Sequence, residues 1–116
     1  MTPVTPEQVE SRLLGLSDEV DSAHKELSDA EMNYHKAKIA FELNMAKMRL
    51  AIAQSNQKLR VNQVEDEALW RNEKEWEAIQ IAEALVKAAR SNANRVRTQV
   101  DIARSVGTSV RASMEL

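Results

Sequence analysis

The chain has 116 residues, a net charge of −2, 43% hydrophobic residues, only 3% aromatic ones and no cysteine. So few aromatics cannot fill a globular core, but they suit the narrow seam of a coiled coil. The lack of cysteine excludes disulfides and thiolate metal sites, and no run nears the roughly 18 apolar residues that a membrane span needs. With no basic-then-apolar leader at the N-terminus either, the expectation is a cytoplasmic protein without a membrane partner.

Pro3, Pro6 and Gly15 lie near the start, and from Leu16 to Val106 there is neither Gly nor Pro. Nothing in that span forces the backbone out of a helix. Its dominant residues, Ala, Glu, Lys, Arg, Gln, Leu and Met, are the strongest helix formers.

The first predicted helix covers about residues 6–53. Thr5 caps it, Pro6 takes the first helical position and Gln8 completes a T-x-x-Q capping box. Val9, Leu13, Leu16, Val20, Ala23, Leu27, Ala30, Tyr34, Ala37 and Phe41 then recur at alternating spacings of four and three, a heptad seam. After Phe41 the seam passes through Met45, Met48 and Ile52 with a local stutter.

The polar stretch Gln54-Ser55-Asn56-Gln57-Lys58 is the predicted turn, and helix 2 is expected over about 59–114. Its seam is Ile79, Ala82, Val86, Ala89, Ala93, Val96, Val100, Ala103, Gly107, Val110 and Met114, with Trp76 and Leu69 as its backward extension. The competing architecture is one continuous helix of about 165 Å. A reversal near residue 58 makes facing positions sum to about 116, so Tyr34 meets Ala82, Leu27 meets Ala89 and Val9 meets Gly107. Large then faces small at nearly every layer, which keeps core volume even. The hairpin also lays an acidic segment along a basic one. Glu7 to Glu31 holds eight acids and two bases, while Ala84 to Met114 holds six bases and one acid. Glu10 is expected nearest Arg104. The predicted fold class is therefore all-α: a long antiparallel two-helix coiled-coil hairpin in one domain, oligomerising into a helical bundle.

Little in the sequence suggests catalysis. His24 and His35 stand eleven residues apart, about 16 Å along a helix, too far to share a metal. Glu31 and His35 have i, i+4 spacing, but a carboxylate-bridged site needs matching sets that the chain lacks. Two straight helices without a concave pocket offer no catalytic constellation. The expectation is no enzyme, no cofactor and no metal.

Binding features are richer. Arg90, Arg97, Arg104 and Arg111 repeat every seven residues as one stripe beside the seam. They either pair with the acidic first helix or track a phosphate backbone. Lys87 and Arg95 lie off the stripe and are expected to be free for a partner. Two further apolar rows, Ile39-Leu43-Ala46-Leu50-Ala53 and Ala78-Ile81-Leu85-Ala88, belong to neither seam, and Trp70 also falls off it. Helices with a second apolar face want a second neighbour. Leu43, Leu50, Trp70, Ile81 and Leu85 are thus the predicted self-association surface, giving a homodimer or higher even oligomer.

The run Ala84-Leu85-Val86-Lys87-Ala88-Ala89-Arg90, followed by Arg104-Ser105-Val106-Gly107-Thr108-Ser109-Val110-Arg111-Ala112-Ser113-Met114, resembles the C-terminal half of small coiled-coil proteins encoded by tailed bacteriophages. The likeness covers about residues 65–114; the first half matches only in its apolar pattern, and the turn lacks the Gly those relatives often show. It implies a phage or prophage protein, in the host cytoplasm or the virion, encoded near recombination and replication genes. Three functional expectations follow: a self-associating adaptor that binds another protein, a nucleic-acid-binding accessory protein, or a virion assembly component.

Overall fold

A computed structural model of the chain describes residues 3–55 and 58–115. It is all-helical, with α1 at Pro6–Gln54, α2 at Val61–Arg71 and α3 at Glu73–Met114. α1 and α3 pack against each other as a hairpin, so the continuous-helix alternative is excluded. Contacts divide the chain into two compact units. One joins the residues up to Ser28 with those from Ala88 onward, and the other runs from Asp29 to Lys87.

The α1 start is as expected. The Thr5 amide donates to Gln8 Oε1 (2.9 Å), and the Gln8 amide donates to Thr5 Oγ1 (3.3 Å), which satisfies two amides that the first turn leaves orphaned. At the other end, the Ser55 hydroxyl donates to the Ile52 carbonyl (2.7 Å) as the helix stops. Of the predicted turn, Asn56 and Gln57 lie outside the described residues. Lys58 to Arg60 are non-helical, so helix 2 begins two residues later than expected. The Arg60 amide donates to the side-chain carbonyl of Gln63 (2.9 Å), a second local cap.

In the first unit the α1 seam is correct at every position: Val9, Leu16 and Ala23 are buried, and Leu13, Val20 and Leu27 are half-buried. The register is that of a turn near residue 58. Ala23 clusters with Ala93 and Val96, with Val20 packed against them. A Cβ built on Gly107 would stand 2.9 Å from Val9 Cγ1. Glycine is therefore required there by close approach, not by backbone conformation. Ala in place of Gly107 gains about 1 kcal/mol of helix propensity but overpacks this layer by about 1–3 kcal/mol. Gly107→Ala should thus destabilise the chain in urea titrations, whereas Gly107→Ala placed on a Val9→Ala background should stabilise it. Stabilisation in both backgrounds would show that Val9 and Gly107 do not face each other.

The layer of Ala23 with Ala93 is an exception to large facing small, and a gap of about 220 Å3 opens beside it. One seam expectation needs correction. Met114 is 69% exposed, because α1 begins only at Pro6 and supplies no helical turn opposite it.

The second unit holds the larger correction. Helix 2 is not continuous: Asn72 separates α2 from α3, with φ −104° and ψ 24°. Its side-chain Nδ2 donates to the Ala68 carbonyl (3.1 Å) and to Met45 Sδ (3.4 Å). The Asn72 amide donates to both the Ala68 and Leu69 carbonyls (3.1 and 3.0 Å). A side chain that competes for the i−4 carbonyl disturbs the helical ladder, and here it interrupts it for one residue. Asn72 is 1% exposed, whereas Trp76 and Leu69, the expected backward seam, are 45% and 40% exposed. Counting back from Ile79 by the strict heptad gives Glu75, Asn72, Ala68 and Glu65, all buried or half-buried. The repeat holds, and all of its residues but Ala68 are polar. Across the seam, Met45, Ile52 and Ala68 form the core with Phe41, Met48, Leu59 and Val64 around them. The α1 stutter between Phe41 and Met45 thus lies opposite the Asn72 break, since Met45 touches Asn72 directly.

Candidate interaction surface

All five residues predicted to mediate self-association are exposed and belong to the second unit. Leu43, Leu50, Ile81 and Leu85 are 57–60% accessible, as is Ile39, the first member of the α1 row. The cause is the heptad itself. Seam positions claim the inner face, so apolar residues at any other phase are left facing solvent. Large aliphatic side chains concentrated this way are a candidate association face.

Trp70 has different neighbours. It lines a shallow concavity of about 250 Å3 with Asp66, Leu69, Glu73 and Trp76. These residues repeat at three- and four-residue intervals along one outer face of α2 and the start of α3. In the heptad that places Asn72 and Ile79 on the seam, Leu69 and Trp76 share one flank, and Ile81 and Leu85 fall toward the other. The predicted surface therefore divides into an aliphatic set and an aromatic set. The sequence reading missed the second because it assigned Leu69 and Trp76 to the seam.

The cationic residues also need correction. Lys87 and Arg95 are not free: Lys87 Nζ lies 3.4 Å from Glu83 Oε1, and Arg95 donates to Asn92 Oδ1 at 2.9 Å. Both are contacts to the preceding helical turn. Arg90 is engaged within the fold. Arg97, Arg104 and Arg111 are exposed and form no ion pair among the described residues. Glu10, expected nearest Arg104, forms no ion pair with it among the described residues. Beside Arg97 and Arg104 the first helix presents His24 and Ser17, not carboxylates, and Asp101 of α3 lines the same gap. Long exposed side chains gain too little from a distant acid to be held in place.

An ion pair crosses between helices in the second unit. Arg49 forks onto Glu65, with Nε to Oε1 at 2.6 Å and Nη2 to Oε2 at 2.9 Å. The Glu65 hydrogen bond holds the Arg49 guanidinium above its ordinary pKa. Glu67 is taken by Arg71 at 3.0 Å on the same helix. Asp66 and Glu73 remain exposed and without an ion pair among the described residues.

His24 and His35 are exposed, and Tyr34 stacks obliquely on His35 with ring centroids 5.9 Å apart. Among the described residues no group of three or more His, Cys, Asp or Glu could hold a metal ion. No helix among them is long and apolar enough to cross a membrane. Comparison with protein-family models, with curated proteins and with solved structures found no match, so the surface has to be interpreted from its own chemistry.

Proposed function

We propose that the protein is a non-catalytic helical interaction protein, phage-encoded as the C-terminal resemblance implies, which self-associates and presents its remaining surface to a protein partner. The observation that carries this is the exposure of Ile39, Leu43, Leu50, Ile81 and Leu85 in one unit. A lone helix pair buries a narrow seam and is marginally stable. Covering these rows with a second copy removes apolar area from water without requiring any other molecule. A self-complementary patch is most often satisfied by two-fold pairing, hence a homodimer or higher even oligomer.

The test is sedimentation of the wild type beside Leu50→Glu combined with Leu85→Glu. The wild type should run as a dimer or larger even species at micromolar concentration, and the double variant as a monomer of reduced helicity. A monomeric wild type would refute self-association and give these rows to a different protein. A nucleic-acid-binding accessory role draws its support from the exposed Arg97, Arg104 and Arg111. It requires duplex binding that weakens steeply with salt.

A further inference from the structure

Trp70 is 73% exposed, the most accessible aromatic among the described residues. Together with Trp76 it forms a stripe that the aliphatic association does not use. Exposed tryptophans are rich in binding energy when a partner covers them, and the groups around these two specify that partner's charge. Asp66 and Glu73 border the indoles in the same concavity and have no ion pair among the described residues, while the adjacent Glu65 and Glu67 are already held by Arg49 and Arg71. An indole face attracts a guanidinium, and a free carboxylate accepts its paired N–H donors. The partner is therefore cationic. Its charges must also match the acids, which are seven residues apart, about 10.5 Å along a helix.

The chain carries that complement itself. Arg104 and Arg111 are seven residues apart, exposed and without an ion pair among the described residues, and no acid lies between them in sequence. Arg97 extends the row, although Asp101 lies between it and Arg104. At Arg97 and Arg104 the vacancy has a structural reason, since α1 places His24 and Ser17 beside them rather than carboxylates. We propose that the Asp66–Trp70–Glu73–Trp76 stripe of one copy docks the Arg104–Arg111 row of a second copy, with carboxylates on guanidiniums and indoles against the arginine stems. This contact is separate from the aliphatic association and does not depend on it. Because two different surfaces meet, it is heterologous and continues from copy to copy unless it closes. Being charge-driven and exposed, it weakens as salt screens it.

The experiment is sedimentation velocity of the full chain at low and high salt, with two variants checked for helicity by circular dichroism. One is Asp66→Lys with Glu73→Lys, and the other is Arg104→Glu with Arg111→Glu. All four positions are exposed, so both variants should fold. At low salt the wild type should form species larger than those that persist at high salt. Each variant alone should lose those larger species, and an equimolar mixture should regain them, because each then supplies the surface the other lacks. Variants that assemble like the wild type, or a mixture that restores nothing, would overturn the proposal. So would an arginine-row variant that assembles normally but loses salt-sensitive binding to a DNA duplex probe, which would assign the row to nucleic acid. The high-salt species reports separately on the aliphatic association, so failure of one contact is distinguishable from failure of the other.

Discussion

Ile52→Ala is expected to cost about 3 kcal/mol, a large share of the stability of so small a protein. Ile52 is completely inaccessible and lies in one buried cluster with Met45 and Ala68, ringed by Phe41, Met48, Leu59 and Val64. Removing its outer carbons leaves a void that Ala68, with a single side-chain carbon, cannot fill. Leu50 provides the control. Two residues earlier on the same helix it is 60% exposed, so Leu50→Ala should cost well under about 1 kcal/mol in the isolated chain while weakening self-association. Urea midpoints measured at equal protein concentration compare the two, because association itself adds apparent stability. An Ile52→Ala protein within about 0.5 kcal/mol of wild type would mean that α1 does not pack on α2 through this cluster.

Asn72→Asp should be at least as damaging at neutral pH, by about 3 kcal/mol or more, since a carboxylate would replace an amide that is 1% exposed. The amide donates to the Ala68 carbonyl and to Met45 sulfur. An ionised carboxylate donates to neither and faces two acceptors. Glu75, half-buried at a neighbouring seam position, adds like charge. The new carboxyl should therefore titrate above its unfolded value of about 4. The sign follows from linkage. Below about pH 4 both states are protonated and the charge penalty is absent; it grows as pH rises and levels off above the raised folded pKa. Asn72→Ala removes the hydrogen bonds without adding charge and should cost only about 1 kcal/mol, with no such pH dependence. Equal losses for the two substitutions at every pH would show that Asn72 is not buried as described.

Several features of this protein were legible from residue order alone, because they depend on local periodicity. The unbroken heptad from Val9 to Phe41 named the inner face of α1 correctly at each position. The capping box at Thr5 and Gln8 set its start, and the reversal near residue 58 set the register that brings Val9 onto Gly107. The aliphatic rows were visible for the same reason, as large residues out of phase with the seam.

What failed was a choice between period and polarity. Leu69 and Trp76 were taken for the seam because they are apolar, yet the repeat runs through Glu65, Ala68, Asn72 and Glu75. A polar side chain belongs in a core only when its donors are satisfied there, and Asn72 is satisfied by a carbonyl one turn back and a sulfur 27 residues away. Only the tertiary structure places that sulfur. The same holds for the arginines. Counting charges suggested that an acidic helix would neutralise a basic one, but pairing depends on which side chains share a flank. Beside Arg97 and Arg104 that flank holds His24 and Ser17. Periodicity is a property of one helix and can be read along the chain. Satisfaction and pairing are properties of two helices in contact, and they were decided only when the helices met.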